Sequence, residues 1–223
     1  MSLDGLFVTG GCGFIGSNFI TYFCKQYPEI PVYNYDALYY SGNIENIDET
    51  VRFSKNYHFI QGNLQDIQKL KFLFQKETIS HVIHFAAQSH VQSSFDDSLQ
   101  YTYDNVVGTH TLLEVNRLYN PHLQKFIHVS TDEVYGESSM NSSESKQETS
   151  LLCPTNPYAA TKAAAEMLAQ SYYHSFNLPI LITRSNNVYG PNQYPEKLIP
   201  KFIQLLKDNK PVTIQGKGTC LRS

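Results

Sequence analysis

The sequence predicts an open, doubly wound α/β fold built on one parallel sheet, and three observations predict it. Short apolar, β-rich runs alternate with helical patterns along the chain. A glycine-rich stretch, Thr9-Gly10-Gly11-Cys12-Gly13-Phe14-Ile15-Gly16, lies between the first such run and the first helical pattern. Polar, chemistry-bearing residues fall just past the ends of several strands. Strand–helix alternation implies crossover helices, which cover a parallel sheet on both faces.

The elements follow in order. Leu3–Thr9 reads as a strand, and Phe14–Gln26 as a helix opening at the glycines. Val32–Asp36 is a second strand, bounded by Pro31, and Tyr57–Gln61 a third. Asp66 caps a short helix running to about Lys76. His81–Phe85 is a fourth strand, and a long helix runs from about Leu99 to Tyr119. Lys125–Ser130 is a fifth strand, followed by a long helix from Pro157 to about Phe176. Pro179–Thr183 is a sixth strand. A helix from about Pro200 to Lys207 and a strand over Val212–Gln215 close the chain. Right-handed crossovers make this a Rossmann fold, with ligands at the carboxyl ends of the strands. Gly10, Asp36, Ala86–Ser89 and Ser130–Glu133 all fall there. The polar segment Glu137–Ser150 reads as a surface loop over the site.

Composition narrows the function. Seventeen Lys and Arg against twenty Asp and Glu give a net charge of −3 over 223 residues, so no basic field invites nucleic acid. No apolar run reaches the roughly 18 residues that span a bilayer. The first strand leaves no room for a secretion signal, so the expected location is cytoplasmic. Cys12, Cys24, Cys153 and Cys220 are scattered, as free thiols are. No Cys/His cluster has metal-ligand spacing, so no metal is expected.

The glycines at 10, 13 and 16 permit a tight turn and a close approach to a pyrophosphate, which the following helix N-terminus attracts. Asp36, at the end of the second strand, is placed to accept the adenosine ribose hydroxyls. It would repel a 2′-phosphate, so NAD is expected rather than NADP. Tyr158 and Lys162 are four apart and share a helix face. The ammonium lowers the phenol pKa, making Tyr158 an acid/base for a hydroxyl that loses hydride. Thr131, Asp132 and Glu133 add a hydroxyl and two carboxyl groups. An acid beside a base suits elimination of water next to a ketone.

These residues carry a resemblance. TGGCGFIG from Thr9, HFAAQSHV from His84, STDEVYGE from Ser130, YAATK from Tyr158 and RSNNVYGPNQYPEKLIPKFI from Arg184 are similar to the nucleotide-sugar 4,6-dehydratases of the extended short-chain dehydrogenase/reductase superfamily. The resemblance implies a dTDP-glucose or UDP-glucose substrate and a 4-keto-6-deoxy product on the route to rhamnose-type sugars. It implies that Tyr158 deprotonates the 4-hydroxyl with Lys162 tuning it and Thr131 holding that hydroxyl. Glu133 then takes the C5 proton, and Asp132 protonates the departing 6-hydroxyl. It further implies that Phe14, Ile15, Ala86, Ala87 and Ser89 line the cofactor. Ser89, Asn187, Glu196, Lys197 and Leu198 meet the sugar nucleotide. Asn63-Leu64 stands where relatives carry Asp-Ile beside the adenine, and an Asn there still hydrogen-bonds a base. Residues 1–185 then form the NAD-binding domain, and 186–223 the start of a substrate-binding region that looks truncated. A homodimer through a four-helix bundle of Leu99–Tyr119 and Pro157–Phe176 is implied as well. Two other readings stand beside this one. A nucleotide-sugar 4-epimerase shares Tyr158, Lys162 and NAD but needs no Asp132–Glu133 pair. A silent NAD-binding fragment would follow if the missing lobe is indispensable.

Overall fold

The structure, a computed structural model, describes residues 3–137 and 145–212. Six strands form one wholly parallel sheet: β1 (Leu6–Thr9), β2 (Val32–Asp36), β3 (Tyr57–Gln61), β4 (His81–His84), β5 (Lys125–Thr131) and β6 (Ile180–Ser185), in the order β3-β2-β1-β4-β5-β6. The helices are α1 (Phe14–Gln26), α2 (Glu49–Arg52), α3 (Ile67–Lys76), α4 (Val91–Asp96), α5 (Ser98–Tyr101), α6 (Gly108–Tyr119), α7 (Pro157–Phe176) and α8 (Leu198–Lys207). Strand order reverses between β1 and β4, and that crevice is where such sheets bind ligands.

Side-chain alternation along the strands feeds two cores. Phe7, Val82 and Phe126 pack on one face with Leu70, Phe74, Leu112, Leu113 and Ala169. Leu6, Val8 and Val32 pack on the other with Ile20, Phe23 and Val51. Every residue of β1 is buried, as a central parallel strand requires. Each fully buried Leu, Ile or Phe side chain contributes about 1.5–3 kcal/mol of transfer free energy.

The departures from expectation are local. The first strand starts at Leu6, because the Asp4 and Gly5 amides donate to the Ser80 hydroxyl instead of a strand partner. The expected helix Leu99–Tyr119 is interrupted by a π-helical stretch, Thr102–Val107. There Asn105 turns inward, accepting from the Gln88 amide (2.7 Å) and donating to the Gln88 carbonyl (3.0 Å). Its own carbonyl takes the Thr109 hydroxyl (2.6 Å). Side-chain bonds of this kind displace the regular helical ladder. α8 begins two residues before Pro200, which sits in the first turn where no intrahelical N–H bond is needed. Val212 is not in a strand, and the rest of the expected last strand, residues 213–215, lies outside the described residues. Residues 138–144 of the polar loop also lie outside them. The short helices α2 and α4 were not expected.

Candidate active site

The glycine loop joins β1 to α1. Gly10 has φ +69°, and a Cβ there would fall 2.6 Å from the Ala86 amide nitrogen; one on Gly16 would strike the Gly10 carbonyl. Only glycine lets β1, the β4 loop and α1 converge this closely. Gly13 is the N-cap of α1 and brings no capping side chain, and the first turn carries no acidic residue. The start of α1 therefore presents its amides, and the positive end of its dipole, to an anion.

Asp36 anchors the same loop. Its Oδ2 accepts from the Cys12 amide and its Oδ1 from the Leu38 amide, both at 2.8 Å. Burial raises its pKa, and the two amide bonds oppose that rise. Each oxygen keeps a second lone pair for a ligand hydroxyl. Asn63 donates to the Tyr39 hydroxyl (2.6 Å) and accepts from the Gln65 amide (2.9 Å). Leu64 turns its side chain into the core. Ala86 and Ala87 are half-buried at the end of β4.

On the other side of β4, β5 ends at Thr131, which caps a 3-10 turn, Asp132–Tyr135. Its hydroxyl accepts from the Glu133 amide (3.3 Å) and donates to Asp132 Oδ1 (3.2 Å). Asn156 then performs two tasks: its Oδ1 accepts from the Ala159 amide (2.8 Å), capping α7, and its Nδ2 donates to Glu133 Oε2 (3.2 Å). One side chain thus ties the carboxyl-bearing turn to the helix that carries Tyr158 and Lys162. Pro157 at the first helical position completes that start.

Tyr158 and Lys162 are both almost wholly buried. Lys162 Nζ donates to the Val129 carbonyl (2.8 Å). Burial pulls its pKa down to about 8, with Glu166 acting the other way. Beneath it lie two buried histidines with rings 5.4 Å apart, His84 and His128. Burial, reinforced by the Lys162 charge, lowers the pKa of both, that of His84 to about 3. His84 is therefore neutral, and its neighbours fix its tautomer. Thr109 spends its proton on the Asn105 carbonyl, so His84 Nε2–H donates to Thr109 Oγ1 (2.8 Å), and Nδ1 accepts from Thr9 Oγ1 (2.6 Å). Asn105 continues to Thr161 Oγ1 (2.9 Å), which donates to the Tyr158 carbonyl (2.8 Å). A polar chain thus runs from the end of β1 to the start of α7.

The expected sugar-nucleotide residues gather only in part. Lys197 Nζ donates to the Ser89 carbonyl (3.1 Å), and Glu196 accepts from the Tyr40 hydroxyl (3.2 Å) with His90 at 3.7 Å. Tyr40, Gln88, His90, Tyr194 and Glu196 border a cavity of about 430 Å³ beside that contact. Asn187 is exposed, and Leu198 is 66% exposed. A larger cavity, about 620 Å³, opens between α1 and α2 and contains none of the expected site residues. Among the described residues, no helix is long and apolar enough to cross a membrane, and no cluster of three metal-ligating side chains occurs. Asn156 and Asn105 were not anticipated as site residues. Asn156-Pro157 is legible as a helix start, but its bond to Glu133 spans 23 residues and leaves no local signal.

The sequence profile of the GDP-mannose 4,6 dehydratase family matches residues 7–223. The chain is 47% identical over 229 residues to a dTDP-D-glucose 4,6-dehydratase of Dictyostelium discoideum, covering 99% of this chain and 52% of that protein. It is 45% identical over 218 residues to a trifunctional UDP-glucose 4,6-dehydratase/UDP-4-keto-6-deoxy-D-glucose 3,5-epimerase/UDP-4-keto-L-rhamnose-reductase of Arabidopsis thaliana, covering 98% of this chain and 32% of that one. The crystal structure of dTDP-glucose 4,6-dehydratase from Bacillus anthracis in complex with NAD superposes with a TM-score of 0.87 at 39% identity, over 96% of this chain and 64% of that one. The chain spans about half the length of the Dictyostelium relative.

Proposed function

The chain belongs to the GDP-mannose 4,6-dehydratase family, and from that premise we propose that it is the catalytic core of an NAD-dependent dTDP-glucose or UDP-glucose 4,6-dehydratase. The observation that carries this reading is the tether between Glu133 and the cap of α7. It joins an elimination acid/base pair to an alcohol-oxidising Tyr/Lys pair, which a 4-epimerase has no need to do.

The glycine cradle, the uncapped start of α1 and the doubly anchored Asp36 fit NAD: Gly10, Gly13, Phe14, Ile15 and Gly16 face the pyrophosphate, Asp36 the ribose, and Asn63 and the Leu64 backbone the adenine. Bound there, NAD would supply the hydride chemistry, an acceptor for the C4 hydrogen and a donor for C6. Tyr158 accepts the proton of the 4-hydroxyl, with the neighbouring Lys162 charge stabilising the phenolate. Thr131 orients that hydroxyl. Glu133 removes the C5 proton, acidified by the new ketone. Asp132 gives its proton to the 6-hydroxyl as the C6–O bond breaks, so one water leaves. Glu133 then returns its proton to C5, completing a 4-keto-6-deoxy sugar. Ser89, Asn187, Glu196, Lys197 and Leu198 meet the sugar nucleotide, and residues 186–223 belong to the substrate-binding region. Rhamnose-type sugars are the expected destination, and a cytoplasmic homodimer joined through α6 and α7 the expected assembly.

The test is incubation of the chain with dTDP-glucose and, separately, UDP-glucose, with mass spectrometry of the nucleotide sugars. A product lacking one water supports the proposal, and relative rates assign the nucleotide. An isomer retaining the 6-hydroxyl would overturn it.

A further inference from the structure

Arg184 lies outside every role assigned above, yet it reaches both halves of the site. It stands on β6 with its side chain 14% exposed, facing Glu166, which is fully buried on α7 one turn beyond Lys162. Arg184 Nε lies 3.0 Å and Nη2 2.7 Å from Glu166 Oε2. Nη1 donates to the Tyr135 hydroxyl (2.6 Å) and to the Glu148 carbonyl (3.0 Å). The guanidinium also lies over the Tyr135 ring, 4.9 Å from its centroid. Tyr135 is the last residue of the turn that carries Asp132 and Glu133.

We propose that Arg184 is a positioning residue that clamps the Asp132–Glu133 turn against α7, so that the elimination pair and the Tyr158–Lys162 pair stay in register. The role of each half rests on the dehydratase reading; the clamp itself rests on the contacts. A planar guanidinium holds a carboxylate on one edge and a phenol on the other. A lysine in its place serves only one of them. The same ion pair offsets the Glu166 charge that acts on Lys162. Arg184 also holds the Glu148 carbonyl, farther along the chain.

Two variants test this: Arg184→Lys, and Tyr135→Phe, which keeps the ring but removes the hydroxyl. Hydrogen exchange is read at the Glu133, Gly136 and Cys153 amides, which the turn's own bonds protect. Both variants are expected to speed exchange there about tenfold or more, the loss of one hydrogen bond to a charged group, while amides of β1–β3 are unchanged. Unchanged exchange at the turn in both variants would overturn the clamp, as would a uniform rise over the whole chain, which marks general destabilisation. In parallel, chemically quenched reactions are analysed for a 4-keto sugar nucleotide that retains its 6-hydroxyl. Its build-up in the variants supports a lag of elimination behind oxidation, and a proportional fall of both steps contradicts it. If the parent chain makes no dehydrated product, the dehydratase reading fails, and exchange alone decides the clamp.

Discussion

At the residue scale, burial shifts the protonation of Lys162 and of the two histidines beneath it. Lys162 is the sharpest case. Its pKa falls from 10.5 to about 8 because it is buried. Between those values the unfolded chain binds more protons than the folded one, so stability rises with pH across that window and the cost of burial is fully present below about 8. Lys162→Met is therefore expected to unfold at a higher temperature than the parent at pH 7, with the advantage shrinking as pH rises from about 8 towards 10.5, while turnover is lost. Scanning calorimetry at three pH values checks this; a melting temperature below the parent's at pH 7 would contradict it. On the proposed mechanism Glu133→Gln removes the base for the C5 proton, and it is expected to slow dehydration about 10²–10⁴-fold. Quenched reactions should then contain the 4-keto sugar with its 6-hydroxyl intact. The sequence made these residues legible because Tyr158 and Lys162 sit four apart on a helix and Thr131, Asp132 and Glu133 are consecutive. It hid Arg184, Glu166 and Asn156, whose partners lie far along the chain and meet only when β5, β6 and α7 pack.

At the element scale, periodicity and punctuation exposed most of the fold. α1, α3 and α7 lie where the glycines, Asp66 and Pro157 mark them, and strands β2 and β3 keep their expected bounds. The π-helical stretch before α6 did not show, because its cause is Asn105 reaching across to Gln88 and Thr161 rather than any local propensity. The start of α7 offers a separable test. Asn156→Ala loses the cap and the Glu133 tether together, and should cost about 1 kcal/mol of stability as well as activity. Asn156→Asp keeps a capping oxygen but sets a second carboxylate against Glu133, so stability should be retained while dehydration falls. Chemical denaturation alongside turnover separates the two; equal stability loss in both variants would contradict the dual role.

At the scale of the whole molecule, the parallel order places the glycine loop, Asp36, the Ala86–Ser89 loop and the β5 turn together at the carboxyl ends of the four interior strands. The outer faces of α6 and α7 leave Leu118, Met167, Tyr173 and Phe176 substantially exposed, and apolar surface on long neighbouring helices suits pairing of two copies. The chain should scatter light as a dimer at micromolar concentration, and Met167→Glu should shift it to a monomer; a parent that is monomeric throughout would contradict the four-helix bundle. On the proposed mechanism, one site oxidises C4, eliminates water and returns the same hydride to C6. The most direct measurement uses nucleotide-glucose deuterated at C4, with the label located by nuclear magnetic resonance in the product. Deuterium at C6 of a dehydrated sugar is the predicted result. Deuterium still at C4 of a sugar that keeps its 6-hydroxyl would contradict it.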